Sequence, residues 1–407
     1  MGKKITVLCL SLLISVITFS QTGKNFSYEI ATGYGWVAPI NDFVRGKNQD
    51  NTKINAMTNL SFRFTKEVDG SMAWHYLYNG VYYGVGGFYG HFNYSKHLNN
   101  PFSLYGLFGF NVFHTQKFAL KTEVALGLSG IWDGYSETNR YNVAVSTPVE
   151  CYAHANMEGL YSFSDNWHIN LGASFIHFSN GTMLRPNKGI NVLTPILGLT
   201  YTPQKINHIQ RKNIPEDLLQ TLSYTPHWQT LITLYYAQKG VYTFYKHPLQ
   251  DGTMKEDTAR GVYPIFGLQG RFMRKMTFSH SLGLGFDVSY NENIGKNSKY
   301  YYYPGHFNDS LSLYQRFTLS VFISYEYSIN NFSIILDPGV YIYRHKDGYL
   351  PHFCQRIGLR YQLPKGIFAQ LSLRAYDFRK ADYIEWGVGY RIKHNFYKGK
   401  TRQVKNC

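Results

Sequence analysis

The chain of 407 residues is 44% hydrophobic and 17% aromatic, with 36 Tyr, 28 Phe and 37 Gly, and its formal net charge is +16. After the N-terminal segment, no stretch approaches the ~18 consecutive apolar residues that a membrane-spanning helix needs, which excludes helical membrane insertion. Dense aromatic residues and glycines combined with period-two patterning are typical of an all-β chain, in particular a transmembrane antiparallel β-barrel.

The N-terminal segment has the layout of a secretory signal, because a short basic start precedes an apolar run over residues 5–19. We therefore predict a signal peptide over residues 1–20 and export of the remainder. Without the two lysines of the signal the chain keeps a charge of about +14, part of it in a basic tail, 394–407. The anionic partner expected for an exported barrel is a phosphate-bearing glycolipid rather than nucleic acid, although a solvated chain end also explains the tail.

Alternation of apolar and polar residues predicts about sixteen strands, each with one lipid-facing and one lumen-facing side. In 384–392, for example, alternate residues are Ile, Trp, Val, Tyr and Ile, and the residues between them are Glu, Gly, Gly and Arg. The predicted strands cover 26–38, 56–66, 79–93, 101–113, 118–131, 148–162, 167–178, 191–202, 229–240, 261–273, 277–290, 313–328, 332–344, 353–363, 367–376 and 382–392.

A connection that contains prolines and charges, 203–228, divides the strands into two sets of eight, in the domains 21–202 and 229–393. Eight strands can already close, so the sequence leaves open two tandem barrels or one wide barrel of about sixteen strands. With the N-terminus in the periplasm, the long connections all fall on the outer side of an outer membrane. These connections are 39–55, 132–147, 179–190, 241–260, 291–312 and 345–352. The alternative for the whole chain is a secreted soluble β-sandwich, whose outward faces would be polar.

The cysteines beyond the signal, Cys151, Cys354 and Cys407, are widely separated and lack the spacing of a zinc site or a redox pair. At most one disulfide can form among these three residues. The sequence also lacks a Walker A loop, an HExxH motif and an EF-hand loop. We therefore expect no metal ion and no cofactor.

The stretch FIHFSNGTMLRPNKGIN, residues 175–191, places polar groups on the apolar face of a predicted strand. Because side chains at i and i+2 share a face, His177 and Ser179 project together on the lipid side, at the outer end of the strand. Asn191, on the apolar face of the next strand, can lie beside His177 across the hairpin. A histidine that faces lipid is unfavourable without partners, which makes this pair a candidate site. The simpler interpretation is that the two are rim residues in the headgroup zone.

The motif HFSNG followed by PNKGIN resembles the signature of the outer-membrane lipid A 3-O-deacylases of the PagL type, and the likeness covers roughly 26–202. The resemblance implies an enzyme that hydrolyses an ester-linked acyl chain of lipid A in lipopolysaccharide, with Ser179 as nucleophile and His177 as general base. It also implies that Asn180, Gly181 and Asn187 support the oxyanion and the loop. The second half of the chain is similar to the C-terminal portion of longer acyloxyacyl hydrolases of outer membranes.

Asn191 departs from this family's pattern, which has a glutamate at the matching position. An asparagine carbonyl can fix the histidine tautomer but offers no charge to the imidazolium that forms during catalysis. Glu158, on the preceding strand, is a candidate substitute carboxylate. Two other functions stay open: a catalytically silent barrel that binds glycolipid, and a pore for small solutes through a wide lumen. The sequence does not determine the oligomeric state, and a homodimer is one alternative.

Overall fold

A computed structural model describes residues 25–94, 96–204, 214–221, 225–248, 253–295, 311–345, 352–378 and 380–394. The predicted signal peptide, the basic tail after residue 394 and Cys407 lie outside the described residues.

Two closed antiparallel barrels of eight strands each follow one another along the chain. The N-terminal barrel consists of β1 (Phe26–Val37), β2 (Ala56–Glu67), β3 (Tyr82–Phe92), β4 (Phe102–His114), β5 (Phe118–Gly130), β6 (Val149–Ser162), β7 (Trp167–Ser179) and β8 (Ile190–Tyr201). The C-terminal barrel consists of β9 (His227–Pro248), β10 (Met254–Lys275), β11 (His280–Asn291), β12 (Phe317–Ile329), β13 (Phe332–Arg344), β14 (Phe353–Gln362), β15 (Ile367–Tyr376) and β16 (Lys380–His394). Four short helical segments complete the described elements: α1 (Glu216–Thr221) and three 3-10 turns at Ala73–Tyr76, Leu313–Arg316 and Pro364–Gly366.

Barrel closure decides between the two architectures that the sequence left open. Strand β8 pairs with β1 along most of its length, and β16 pairs with β9 in the same way. Of the two alternatives, the structure has the two tandem eight-stranded barrels, and the single wide barrel of sixteen strands is wrong. All the predicted strands are present, and no helix in the described ranges is long and apolar enough to cross a membrane.

The main difference from the predicted elements is the β9–β10 hairpin. Within the segment 241–260, predicted as a long loop, residues 241–248 continue β9 and residues 254–260 continue β10, and the two strands pair from Lys275 with His227 up to Met254 with Pro248. The two strands stay hydrogen bonded to each other beyond the residues at which they pair with β11 and β16. Cross-strand pairing thus satisfies the backbone groups that a loop would leave to water.

The side chains sort by strand parity, with apolar groups outside and polar groups inside. Leu171 and Leu234 point outward and are each 65% exposed, as lipid-facing residues are. In the C-terminal lumen, Arg271, Arg360 and Arg374 are fully buried and bond to carboxylates or amides. Eight strands leave an interior only wide enough for side chains, and these fill it. The solute-pore hypothesis required a wide lumen and is therefore not supported.

The N-terminal lumen is ionic in its middle and apolar towards one end. Arg63 forms ion pairs with Glu29, Glu123 and Glu158, all inside the barrel. The apolar part combines inward-facing strand residues with residues of the connections 38–55 and 131–148. We call this end, which carries the connections 38–55 and 131–148, the loop end, and the opposite end the turn end. Because the loops bury apolar side chains in the barrel mouth, they form a packed lid rather than loose segments.

The two barrels contact each other at both ends. At the turn end, the Tyr327 hydroxyl donates to the Tyr78 hydroxyl at 2.8 Å, and Tyr78 lies 3.3 Å from the Ser279 hydroxyl. At the loop end, the Gly240 N–H of β9 donates to the Thr182 carbonyl at 2.9 Å. The loop-end contact involves Thr182, which follows Ser179, the last residue of β7, by three positions.

Candidate active site

His177, Ser179 and Asn191 lie together on the outward face of the N-terminal barrel, at its loop end. Antiparallel pairing of β7 with β8 sets His177 directly opposite Asn191. On the same face, Phe175 is 47% and Leu193 is 51% exposed, whereas the neighbouring residues Ile176 and Val192 are buried inside. The structure therefore brings together the three residues that alternation and the hairpin had placed side by side.

A continuous hydrogen-bonded chain links the three side chains. His177 Nδ1 lies 2.5 Å from Asn191 Oδ1, and His177 Nε2 lies 2.9 Å from Ser179 Oγ. An amide oxygen only accepts, so Nδ1 carries the proton and donates it to Asn191. In the neutral imidazole this leaves Nε2 with a lone pair that accepts from the Ser179 hydroxyl. Such a hydrogen-bonded chain can serve chemically as a hydroxyl nucleophile, its base and an orienting group.

The inner face of β7 anchors this arrangement. Phe178 and Ile176, which alternate with the site residues, are buried in the apolar part of the lumen. The ring of Phe178 packs edge-on against Trp132 with centroids 4.9 Å apart. Burying a side chain of this size contributes about 1.5 to 3 kcal/mol, so the strand segment that carries His177 and Ser179 is firmly held.

Asn180 and Asn187 brace the segment that follows β7 rather than facing lipid. The Asn180 side chain is buried and donates to Ser146 Oγ at 2.9 Å and to the Leu184 carbonyl at 3.2 Å. In the orientation that satisfies both of its amide atoms, the Asn187 side-chain nitrogen donates to the Ala144 carbonyl at 3.3 Å. The Asn187 side-chain oxygen then accepts from the Asn180 N–H at 3.1 Å. The Asn180 N–H is thus engaged, and among the described residues the Gly181 N–H has no hydrogen-bond partner.

Gly189 is a site residue that the sequence reasoning missed. Its φ of +70° lies in the left-handed region, and a Cβ at this position would stand 3.1 Å from His177 Cε1. The Gly189 carbonyl accepts from the Asn41 side chain at 2.9 Å, and its N–H donates to Ala144. Only glycine combines this backbone conformation with so close an approach to the imidazole. In the sequence, the signal for this residue was a glycine, preceded by Lys188, directly before the strand that begins at residue 190.

Cys151 is a second residue that the sequence reasoning did not connect to the site. It pairs directly opposite Ser179 in the register of β6 and β7 and is a free, half-buried cysteine. Directly opposed residues on one face have Cβ atoms about 4.5 to 5.5 Å apart. The tight turn between β6 and β7 sets the register of this hairpin, and that register would have predicted that Cys151 lies opposite Ser179.

The expectation that Glu158 substitutes for the missing carboxylate is wrong. Glu158 occupies an inward position of β6, is buried, and forms an ion pair with Arg63 at 2.6 Å. It lies opposite Gly172, well below His177 on the neighbouring strand. Its carboxylate is paired with the buried Arg63 guanidinium inside the lumen, and the barrel wall separates it from the imidazole. Among the described residues, Asn191 is the group that contacts His177 Nδ1.

Two family models together match most of the chain. The family model described as lipid A 3-O-deacylase (PagL) matches residues 58–200, and the model described as acyloxyacyl hydrolase, C-terminal domain, matches residues 228–394. A search of the curated proteins found no match.

Several solved structures resemble the chain at low similarity. The outer membrane enzyme PagL is 13% identical over 42% of this chain and 97% of its own, with a TM-score of 0.29. A ferric enterobactin receptor (PfeA) mutant from Pseudomonas aeruginosa is 10% identical over 86% of this chain and 53% of its own, with a TM-score of 0.24. A porin mutant from Rh. blastica is 9% identical over 90% of this chain and 99% of its own, with a TM-score of 0.17.

The first family model matches within the N-terminal barrel, from β2 to β8, and the second matches the C-terminal barrel. Residues 1–57, which include β1, residues 201–227 and residues 395–407 lie outside both matches. The chain is therefore an outer-membrane β-barrel protein that belongs to the lipid A 3-O-deacylase (PagL) and acyloxyacyl hydrolase family.

Proposed function

We propose that the protein is a carboxylic ester hydrolase that removes an ester-linked acyl chain from lipid A, with Ser179 as nucleophile and His177 as base. Membership of the family supports hydrolysis of acyl esters of lipid A. The observation that carries the catalytic assignment is the 2.9 Å contact between His177 Nε2 and Ser179 Oγ on the lipid-facing side of the barrel.

The outward position suits a lipid substrate. The ester bonds of a glycolipid lie between its sugar headgroup and its acyl chains, at the boundary of the membrane. We infer that the site lies at the same level, because it sits at the loop end of β7 with exposed apolar residues such as Phe175 continuing below it. A substrate can therefore reach Ser179 by moving sideways in the outer leaflet.

The proposed reaction proceeds in two halves. Ser179 Oγ attacks the ester carbonyl while its proton passes to His177 Nε2, and the tetrahedral oxyanion is held by the Gly181 N–H. The bond to the sugar oxygen then breaks, and this oxygen takes the proton from the imidazolium. Water, deprotonated by His177, hydrolyses the acyl-serine and releases the fatty acid. Throughout, Asn191 Oδ1 keeps Nδ1 protonated and the ring in place.

The second candidate is a catalytically silent barrel that binds glycolipid. The observation in its favour is Asn191, which orients His177 but gives the imidazolium no opposing charge. In a serine protease, replacing the acid with an amide lowers turnover about 10⁴-fold, whereas Cys-His-Asn enzymes are active. The amide therefore predicts a slow enzyme rather than an inactive one.

Mass spectrometry of lipid A from cells with and without the protein tests the proposal. We expect loss of one acyl chain when the protein is present and unmodified lipid A when it carries Ser179→Ala. Thr58→Ala is the matched control, because Thr58 is also an exposed, outward hydroxyl but lies on β2. Unmodified lipid A in the wild type, together with glycolipid bound to the purified protein, would favour the silent barrel.

A further inference from the structure

We propose that the C-terminal barrel positions the nucleophile loop, residues 180–189, through Thr182, and is thereby a working part of the active site. The inference rests on the proposed function of Ser179. It assigns a role to the C-terminal half of the protein. That half contributes none of the three hydrogen-bonded residues His177, Ser179 and Asn191.

Thr182 joins the nucleophile loop to two adjacent strands of the C-terminal barrel. Its carbonyl accepts from the Gly240 N–H of β9 at 2.9 Å. Its hydroxyl contacts the Asp382 carbonyl of β16 and lies 2.6 Å from the Gly181 carbonyl. Thr182 is itself buried, and β9 and β16 are paired with each other. One residue of the loop is thus held, through both its main chain and its side chain, by two strands of the C-terminal barrel.

The backbone at this point needs such support. Gly181 and Thr182 have φ values of +61° and +64°, so two consecutive residues are left-handed. Glycine adopts this conformation freely, but a β-branched residue does so only where surrounding contacts hold it. The contacts from Gly240 and Asp382 are the ones that hold Thr182.

Close packing adds to the hydrogen bonds. A Cβ built on Gly181 would lie 2.5 Å from Ile384 Cδ1 of β16, and one built on Gly240 would lie 2.7 Å from Leu184 Cα. The loop and the second barrel therefore touch with no space for an added methyl group on either side. The loop cannot shift towards the C-terminal barrel, and the hydrogen bonds stop it from shifting away.

This anchoring matters for catalysis because Gly181 lies between Ser179 and Thr182. The Gly181 N–H is the proposed oxyanion donor, and its direction depends on the backbone angles of Gly181 and its neighbours. An oxyanion donor acts on charge that develops only in the transition state. Loosening the loop should therefore lower kcat and leave KM nearly unchanged, whereas general damage to the barrel would lower the amount of folded protein.

The experiment compares Thr182→Val with Thr182→Ser in the full-length protein, with lipid A in mixed micelles as substrate. Valine keeps the branched shape but removes the hydroxyl, and we expect kcat to fall about tenfold, as for the loss of a buried hydrogen bond. Serine keeps the hydroxyl, so we expect kcat within about twofold of the wild type. Thr58→Val is the control for an outward hydroxyl remote from the loop.

A second pair of variants tests the barrel contact from the other side. Gly240→Ala places a methyl group against the Leu184 backbone and should also lower kcat, whereas Gly130→Ala, at a strand glycine with open space, should not. The readout independent of activity is proteolysis after Lys188, an exposed residue of the loop, in the folded protein. We expect faster cleavage there in Thr182→Val and Gly240→Ala than in their controls.

The outcomes separate this inference from the proposed function. Wild-type kcat in both Thr182→Val and Gly240→Ala, with Ser179→Ala inactive, would overturn the positioning role and leave the proposed function standing. A wild type that releases no fatty acid would overturn the proposed function and the catalytic role of the loop together. A fall in kcat that serine does not restore, without faster cleavage after Lys188, would also contradict the anchoring by Thr182.

Discussion

Replacing Asn191 by aspartate should raise the activity of this site, and the structure indicates by how much. The Asn191 Oδ1 atom lies 2.5 Å from His177 Nδ1, and aspartate has the same shape as asparagine. The variant therefore keeps the bond geometry and adds one negative charge. The side chain is half-buried on the outward face, so the charge is partly solvated.

The gain comes mainly from the imidazolium that forms in the transition state. Two opposite charges about 4 Å apart attract by about 1 kcal/mol in water and about 4 kcal/mol at the effective dielectric constant of a protein surface. A charge-assisted hydrogen bond is also roughly twice as strong as a neutral one. Allowing for partial solvation, we expect about 1 to 3 kcal/mol of added transition-state stabilisation, which is roughly a 5- to 150-fold rise in kcat.

The assay is release of fatty acid from purified lipid A under single-turnover and steady-state conditions. Asn191→Ala is the companion variant, and it should lower kcat about fivefold because it removes a neutral hydrogen bond of about 1 kcal/mol. If Asn191→Asp left kcat unchanged or lowered it while the protein remained folded, His177 would not be the base that Asn191 orients.

Four further outcomes follow from the geometry. Ser179→Ala and His177→Ala should each abolish release of fatty acid, with losses that do not add in the double variant, because the two groups act as one unit. Gly189→Ala should lower kcat at least tenfold in a kinetic assay, since a side chain at φ +70° is strained and its methyl group would lie 3.1 Å from His177 Cε1. An apolar maleimide should inactivate the wild type but not Cys151→Ser, because the thiol faces Ser179 across the strand pair. Arg63→Met should destabilise the N-terminal barrel by about 3 to 5 kcal/mol, measured in urea, because it leaves three buried carboxylates without their cation.

Strand positions and the outward site were predictable from the sequence because both follow from short-range rules. Alternation fixes which side chains share a face, and one tight hairpin sets His177 beside Asn191. The inward position of Glu158 followed from the same parity, since its strand neighbours at odd positions, such as Met157, are the exposed ones. Parity within β6 therefore excludes Glu158 from the outward face without any knowledge of the register with β7.

Features that depend on distant parts of the chain were not predictable in this way. Closure of the first barrel depends on β8 meeting β1, and eight or sixteen strands satisfy the same local pattern. The contact of Thr182 with Gly240 and Asp382 joins residues far apart in sequence, through two different barrels. Nothing in the loop sequence alone indicates that a second barrel completes its support.

The most direct test of the central claim is a covalent one: treating the purified outer-membrane protein with a long-chain alkyl phosphonate ester and locating the adduct by peptide mass spectrometry. We predict a single adduct on Ser179, its absence in His177→Ala, and protection by lipid A. An adduct on another residue, or labelling of Ser179 that persists at the same rate in His177→Ala, would contradict the assignment of Ser179 as a nucleophile activated by His177.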